Sequence, residues 1–203
     1  MRRDYQKTGG DAPLPAGYQK LKYIESTGEQ YIRTGVTLAP DLVWDIDFQY
    51  TSLYTGDKNM FGAENSSYVY CRIYCRTNLT PNRLGVLFTD NQHINTVWVE
   101  SGFTDRHAWH IQAGDIRLDG VHLQNDNVVG KYSSEDVTLF AINRSGFIED
   151  YSNARLYYTE LKNGNVHKIL VPALRLSDTK PGLYDTINDV FYTNAGSGEF
   201  NYA

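Results

Sequence analysis

The sequence predicts an all-β protein that folds as a two-sheet antiparallel sandwich. From Tyr18 onward, apolar and polar residues alternate in short runs, and a period of two residues is typical of a strand with one buried face. Gly, Asn, Asp and Pro separate these runs at intervals that suit a sandwich. No stretch of about a dozen residues keeps an uninterrupted helical apolar stripe, so the sequence predicts no long amphipathic helix.

The predicted strands follow one another along the chain. The first clear run, residues 43–50, turns its apolar residues to the core and its polar residues to water. The core-facing set is Trp44, Ile46 and Phe48, and the water-facing set is Asp45, Asp47 and Gln49. Further runs lie at residues 69–76, 84–88, 96–99, 109–111, 116–118, 137–142, 156–161 and 167–171. Asp119-Gly120 predicts a hairpin after the run at 116–118, because both residues readily take positive φ.

Composition and charge exclude several classes of partner. The 203 residues are 41% hydrophobic and 21% charged, which is enough apolar material for a sizeable core. The formal net charge is −5 and the Arg and Lys residues are scattered, so neither nucleic acid nor an anionic membrane is a predicted partner. The N-terminal arginines precede no apolar segment, and no run approaches the length of a membrane span, so we predict neither a signal peptide nor a spanning helix.

Two units are predicted along the chain. Residues 1–13 are polar and contain Gly9-Gly10, which predicts a flexible leader that could anchor the rest to a larger assembly. Residues 14–203 form the predicted domain. Its two cysteines, Cys71 and Cys75, lie four residues apart on one predicted strand, too far for a disulfide, and are expected to be buried thiols.

Motifs near both ends of the predicted domain resemble a known family. The opening motifs are LPAGY at 14–18, YIESTG at 23–28, QYI at 30–32 and TG at 34–35. The closing motifs are LVP at 170–172, GLYD at 182–185 and FYTNAGSG at 191–198, and between the two groups lie FGA at 61–63, LDG at 118–120 and FAIN at 140–143. This series resembles the LamG-like, concanavalin A-like domains of gut bacterial surface proteins and their phages.

The resemblance implies a jelly roll of two antiparallel sheets whose opening and closing segments pair near each other. It also implies a carbohydrate-binding or adhesive module. A chain that starts at Met1 with a flexible leader resembles a phage virion protein, such as a fibre or capsid decoration, and a bacterial surface assembly is the other setting. The expected location is therefore a virion or the cell surface.

One strand carries an unusual alternation of aromatic rings and guanidinium groups. The residues of this strand that are predicted to face the core are Val69, Cys71, Ile73 and Cys75. The residues on the opposite face, here named the Tyr/Arg stripe, are Tyr68, Tyr70, Arg72, Tyr74 and Arg76. Such a face suits sugars, which stack on aromatic rings and accept hydrogen bonds from Arg. It equally suits a subunit interface, and a solvated or covered sheet face is the third alternative.

The most enzyme-like feature is the run from Trp44 to Gln49, which resembles the alternating carboxylates of laminarinase-type glycoside hydrolases. Retaining hydrolysis needs two carboxyl groups, one as nucleophile and one as acid. The third polar position is Gln49, whose amide cannot protonate a leaving group. We therefore predict that the protein is not an enzyme and has no catalytic residue.

The sequence predicts no cofactor and no zinc site. Its five histidines include no H-x-x-x-H pair and have no neighbouring cysteine cluster. Oxygen-rich turns that can hold calcium, and that are equally ordinary turn sequences, occur at Asn125, Asp126 and Asn127 and at Asp185, Asn188 and Asp189.

The leading functional prediction is non-enzymatic recognition of a cell-surface glycan by a domain that is mounted on a larger assembly through its leader. The alternative is a purely structural virion or adhesin domain without a small ligand, in which the Tyr/Arg stripe contacts a neighbouring subunit or a second copy. A glycoside hydrolase is the third interpretation.

Overall fold

The computed structural model describes residues 13–52, 56–67, 69–76, 83–90, 94–112, 115–124 and 134–203. In these ranges the chain forms strands and turns without a helix, and none of it could cross a membrane as a helix. The strands are β1 (Tyr18–Lys20), β2 (Ile24–Thr27), β3 (Ile32–Thr37), β4 (Val43–Tyr50), β5 (Asp57–Glu64), β6 (Val69–Arg76), β7 (Arg83–Asp90), β8 (Ile94–Val99), β9 (Arg106–Gln112), β10 (Asp115–Leu118), β11 (Val121–Gln124), β12 (Asp136–Leu139), β13 (Ile142–Arg144), β14 (Phe147–Glu149), β15 (Asn153–Asn163), β16 (Val166–Arg175), β17 (Lys180–Asp185), β18 (Val190–Thr193) and β19 (Asn201–Tyr202).

These strands form two sheets that enclose one core. Sheet A runs in the order β11-β10-β9-β4-β15-β16-β17-β18, with β1 paired to β16 and with β2 between β15 and β19. Sheet B runs in the order β14-β13-β5-β6-β7-β8, with β12 between β3 and β5. The described pairs are antiparallel except for β13 with β5. The prediction of an all-β antiparallel sandwich is therefore confirmed. Positions 1–12 of the predicted leader, residues 1–13, lie outside the described residues.

The core lies between the sheets. It contains the alternate apolar residues of β4 that the sequence predicts to face inward. Trp44, Ile46 and Phe48 are buried there, and the Trp44 ring stacks on Phe61 of β5 with ring centroids 3.9 Å apart. On β6, Cys71, Ile73 and Cys75 are also buried, and both cysteines are free thiols. The predicted core parities of these residues are thus confirmed.

The closing motifs contain two glycines that the backbone requires. A Cβ on Gly182 would collide with the carbonyl oxygen of Tyr192 on the neighbouring strand β18. A Cβ on Gly196 would likewise collide with the carbonyl oxygen of Glu29. The last strand, β19, pairs with β2, so the opening and closing segments of the chain meet in sheet A.

A second, smaller apolar cluster covers part of the outer face of sheet A. Strand β1 pairs along β16 and packs Tyr18 against Tyr184, with ring centroids 4.6 Å apart. Beneath this contact lie Ile169, Val171 and Ala173 of β16. The part of the outer face of sheet A that is formed by β4, β9 and β10 lies beside this apolar cluster.

The indole of Trp44 has a buried hydrogen-bond partner that can be tested. Its Nε1 donates to Thr159 Oγ1 at 2.6 Å, and that hydroxyl donates to the Asp45 carbonyl at 3.0 Å. We expect Thr159→Val to lower the free energy of unfolding in urea by about 1–3 kcal/mol, because the indole N–H is left without an acceptor. In a Trp44→Phe background the same substitution should cost less, and equal costs in both backgrounds would contradict this role of the hydroxyl.

Candidate functional site

The Tyr/Arg stripe does not form the open face that its sequence suggests. Tyr68 and the side chain of Tyr70 lie outside the described residues. Arg72 is 6% exposed and Tyr74 is 1% exposed, while Arg76 is half-buried. The expectation that Arg72 and Tyr74 are available at the surface is therefore wrong. Ligand contact by the stripe, which would rest on its remaining members, stays a prediction.

The burial of Arg72 has a local cause. Its neighbour across the strands is Gly62, where an added Cβ would lie 3.0 Å from both Arg72 Cβ and Ile142 Cγ1. The side chain of Ile142, from β13, therefore packs directly over this glycine and beside Arg72. On the other side, Leu87 of β7 is opposite Arg72 and is also buried. The outer face of sheet B is thus packed at this point.

The charged groups of the Tyr/Arg stripe contact partners within the domain. Arg76 donates two hydrogen bonds to Asp57, at 2.6 and 2.8 Å, and Arg72 Nη2 lies 3.4 Å from the same carboxylate. Both guanidinium groups also approach the ring of Tyr74, at 4.3 and 5.4 Å from its centroid. Burial raises the pKa of Asp57, but the hydrogen bond from Arg76 and the charges of the two arginines together outweigh it, so the pKa lies below its usual value.

A groove of about 560 Å³ lies on the outer face of sheet A, a volume in the usual range for ligand sites. Lys20 and Lys22, at the end of β1 and in the segment before β2, border it on one side. The side chains that determine its chemistry are Asp45, Asp47, Arg106, His110, Tyr157 and Tyr158. Asp45 and Asp47 were expected only to face water, and they instead form part of a lined depression.

Strands β4 and β9 form the floor of the groove, and their register determines which side chains lie next to each other there. Asp45 is opposite His110, and Asp47 is opposite Ala108. Arg106 and His110 flank Ala108 on the same face of β9, because residues two apart share a face of a strand. The methyl group of Ala108 is the smallest side chain in this row, so a depression is left between its longer neighbours.

A β-bulge in β15 supplies the aromatic wall. The register with β4 shifts between Leu156 and Tyr158, while Leu156 and Thr159 both stay in the core. Two successive residues, Tyr157 and Tyr158, therefore point to the outer face and line the groove. The pKa of Tyr158 is raised by burial and by its hydrogen bond to Glu160, so the phenol stays protonated.

Arg106 is held in place by two contacts. It donates to both oxygens of Asp47, at 2.7 and 2.6 Å, and its guanidinium carbon lies 3.9 Å from the centroid of the Tyr157 ring. The hydrogen bonds to Asp47 raise the pKa of Arg106, so it remains charged. The hydroxyl of Tyr157 donates to Gln49 Oε1 at 2.9 Å, which fixes the ring at its other end.

The opposite end of the groove combines imidazole, carboxylate and guanidinium groups. His110 Nδ1 lies 2.8 Å from Asp45 Oδ1, and its Nε2 lies 4.0 Å from Asp115 Oδ2. Arg117 donates to both oxygens of Asp115, which lowers the pKa of that carboxyl. His122 Nε2 lies 3.4 Å from the same carboxylate. This end offers hydrogen-bond acceptors and donors within a few ångströms of each other.

The two oxygen-rich turns that the sequence analysis names have different positions in the structure. Asn125, Asp126 and Asn127 lie outside the described residues. Asp185 is buried, and its Oδ1 accepts hydrogen bonds from the backbone N–H groups of Ile187 and Asn188 at 3.1 and 3.3 Å. Within the described ranges, no group of three or more His, Cys, Asp or Glu side chains is arranged to hold a metal ion. Whether either turn holds calcium or is an ordinary turn stays untested.

Comparison with solved structures finds the same architecture elsewhere. The CBM40 carbohydrate-binding module of the Ruminococcus gnavus IT-sialidase matches with a TM-score of 0.51 and 10% identity, over 71% of this chain and 90% of that chain. Tailspike protein 2 of the Escherichia coli O157:H7 bacteriophage CAB120 matches with a TM-score of 0.42 and 8% identity, over 77% of this chain and 27% of that chain. No family model matches the sequence, and no curated protein matches it significantly. At this identity the first likeness shows a shared β-sandwich fold, and the second is too distant for an argument.

The lowered pKa of Asp57 predicts a pH-dependent contribution to stability. A carboxylate whose folded pKa lies below the unfolded value of about 3.9 stabilises the fold above that value and loses this contribution as the pH falls through the folded pKa. Asp57→Asn should therefore destabilise the protein at about pH 7 and progressively less toward about pH 3, as measured by urea unfolding. The exposed pair Asp178–Arg175 is a control, since Asp178→Asn should change stability little at either pH. A loss for Asp57→Asn that does not vary with pH would contradict the role of its charge.

Proposed function

We propose that this domain binds a carbohydrate, without catalysis, in the groove on the outer face of sheet A. The observation that carries the proposal is the combination of two tyrosines, Tyr157 and Tyr158, with charged donors and acceptors along one floor. Aromatic rings pack against the apolar C–H faces of sugars, while Arg, Asp and His groups bond to hydroxyl oxygens and hydrogens. A groove of this volume on rigid strands meets both needs.

The arrangement of the carboxylates favours binding over hydrolysis. Both oxygens of Asp47 accept hydrogen bonds from Arg106, so neither oxygen is left to act on a glycosidic bond. Gln49 stands at the next outward position of β4, with its amide bonded to Tyr157 and to the Thr104 carbonyl. Asp45 is paired with His110. None of these three positions is arranged as a free acid beside a nucleophile.

The finer parts of the proposal rest on the terminal motifs and on analogy of fold. The motifs at 14–35 and 170–198 support a LamG-like, concanavalin A-like assignment. A virion fibre, a capsid decoration or a bacterial surface assembly is the proposed setting, with the leader as the attachment and a cell-surface glycan as the ligand. The sandwich shared with the R. gnavus carbohydrate-binding module supports the class of function only through its architecture.

Two groove variants test the binding proposal on a glycan array with the purified protein. Ala108→Phe places a ring in the depression, and Tyr157→Ala removes the ring that supports Arg106. We expect Tyr157→Ala to weaken the strongest glycan signals about fivefold, since one lost aromatic contact is worth on the order of 1 kcal/mol. We expect Ala108→Phe to weaken them at least as much, because its ring occupies the space of the ligand. Tyr151→Ala is the matched control, because Tyr151 is another half-buried tyrosine, packed on Tyr31 and outside the groove lining.

Thermal unfolding of each variant establishes that the fold is kept. Unchanged glycan signals in both groove variants would overturn the proposal. A shift of the solution mass of either groove variant toward monomer, with no glycan bound by the wild type, would instead indicate that the groove is a subunit contact.

The non-enzymatic part of the proposal predicts that reducing-sugar release from β-glucans stays at background. The physical reason is that the position of the acid is held by Gln49, whose amide cannot act as an acid. Hydrolysis that disappears in an Asp45→Asn, Asp47→Asn double variant would contradict it.

A further inference from the structure

The side of the groove next to β16 is apolar. Val171 of β16 and Tyr158 of β15 line the groove there. Val171 belongs to the smaller apolar cluster on the outer face of sheet A, and Tyr158 packs against that cluster. The side of the groove next to β10 is charged instead, since Asp115 and Arg117 are paired there. The two sides therefore suit different chemical groups of a ligand.

The apolar side results from a change of partner along one edge of β16. Strand β15 pairs with β16 only as far as Thr159, where the bulge of β15 begins. The next pair in this register would be Tyr158 with Val171, and both side chains point to the outer face. From Ala173 onward, the same edge of β16 pairs with β1. Val171 thus lies where one partner strand has ended and the next has not begun, which leaves a depression beside it.

This depression admits only a small apolar group. Val171 is 2% exposed, so a sugar ring cannot rest on it, whereas a methyl group that projects from a ring can reach it. The hydroxyl of Tyr158 donates to Glu160 at 2.9 Å, which holds the polar tip of this side chain away from the apolar cluster. Carbon atoms of the Tyr158 ring therefore adjoin Val171, and they favour an apolar substituent at this place.

Polar groups of both kinds surround the depression. Lys20 and Lys22 border the groove on this side, and both are exposed. Leu21, between them, donates its backbone N–H to the carbonyl of Pro172 at 2.9 Å, which holds this segment beside β16. An ammonium group can only donate hydrogen bonds, while the ionised carboxylate of Asp45 on the floor can only accept them. A substituent at this place therefore finds donors on one side and an acceptor on the other.

We infer that this side of the groove recognises an acetamido substituent, so that the ligand is a glycan containing N-acetylated amino sugars. The methyl group packs on Val171 and Tyr158. The amide oxygen accepts a hydrogen bond from one of the two lysines, and the amide N–H donates to Asp45. A free amino sugar lacks the methyl group and carries a positive charge that the lysines repel. The inference rests on the proposed function and names the class of sugar that the groove takes.

The test compares dissociation constants for sugars that differ only in this substituent. The purified protein is titrated by NMR with N-acetylglucosamine and glucose, and with N-acetylgalactosamine and galactose. In at least one of the two pairs, the acetamido form should bind about fourfold more tightly or better, the factor that corresponds to the burial of one methyl group. Val171→Thr keeps the branched shape of the side chain but replaces one methyl group by a hydroxyl. It should reduce this ratio to about half or less.

Val166→Thr is the matched control, because Val166 lies on the same strand, is 39% exposed and is outside the groove lining. Its ratio should equal that of the wild type. A second measurement needs no variant and therefore does not depend on the stability of Val171→Thr. When the methyl resonances of the wild-type protein are saturated, the acetyl methyl group should receive the largest share of the saturation transferred to the bound sugar.

The outcomes separate this inference from the proposed function. Equal binding of the acetamido and hydroxyl forms would overturn the inference alone, as would a ratio that Val171→Thr lowers no more than Val166→Thr does. The same holds if neither form binds while other glycans on the array do, or if the ring protons of the sugar receive more saturation than the acetyl methyl group. Absence of binding by every sugar and every glycan on the array would overturn the proposed function as well.

Discussion

The two-residue period of β4 is the constraint on which both the core and the groove depend. Its inward residues, Trp44, Ile46 and Phe48, build the centre of the sandwich. The residues between them are forced outward, and they place Asp45 and Asp47 on the groove floor. Because β4 has β9 on one side and β15 on the other, the same register also brings β9 and the tyrosine pair to that floor. A slip of one residue would exchange the two faces and destroy both features together.

The side chains of the groove are held in place by contacts within the domain. Arg106 is paired with Asp47 and rests on the Tyr157 ring, and Arg117 is paired with Asp115. Side chains that are held in one geometry by such contacts lose little entropy when a ligand binds, which favours affinity. The same pairing limits nonspecific attraction, since the positive charges of the arginines are already balanced by carboxylates. In the proposed function, recognition would therefore come from the placement of donors, acceptors and rings.

The sequence was sufficient to predict the fold class and the inward parity of individual strands, because both depend on local periodicity. It predicted correctly that Ile73 and Trp44 are buried. It did not predict that Tyr74 is buried as well. Periodicity shows which face of a strand a residue occupies, but the cover over that face comes from distant segments, here including Ile142 beside Arg72.

The groove could not be predicted for a related reason. Its residues come from five separate parts of the chain, at positions 20–22, 45–47, 106–120, 157–158 and 171. Only the pairing of the strands brings them together. The bulge in β15 left one trace in the sequence, since two polar aromatic residues, Tyr157 and Tyr158, interrupt the alternation between Leu156 and Thr159. Such a doublet inside a strand indicates a bulge, and bulges are frequent beside functional sites.

Two chains that share a β-sandwich at 10% identity show that the fold requires few specific residues. The residues that the sandwich requires can therefore be distinguished from those that line the groove. The sandwich needs apolar residues at alternate positions and glycines such as Gly182 where backbones meet. The outward residues of β9 are not bound by these needs, so they can change without loss of the core. Function therefore has to be argued from those residues themselves. Here they place a paired guanidinium on an aromatic ring at one end and an imidazole between two carboxylates at the other, and a ligand that spans the groove must match both ends at once.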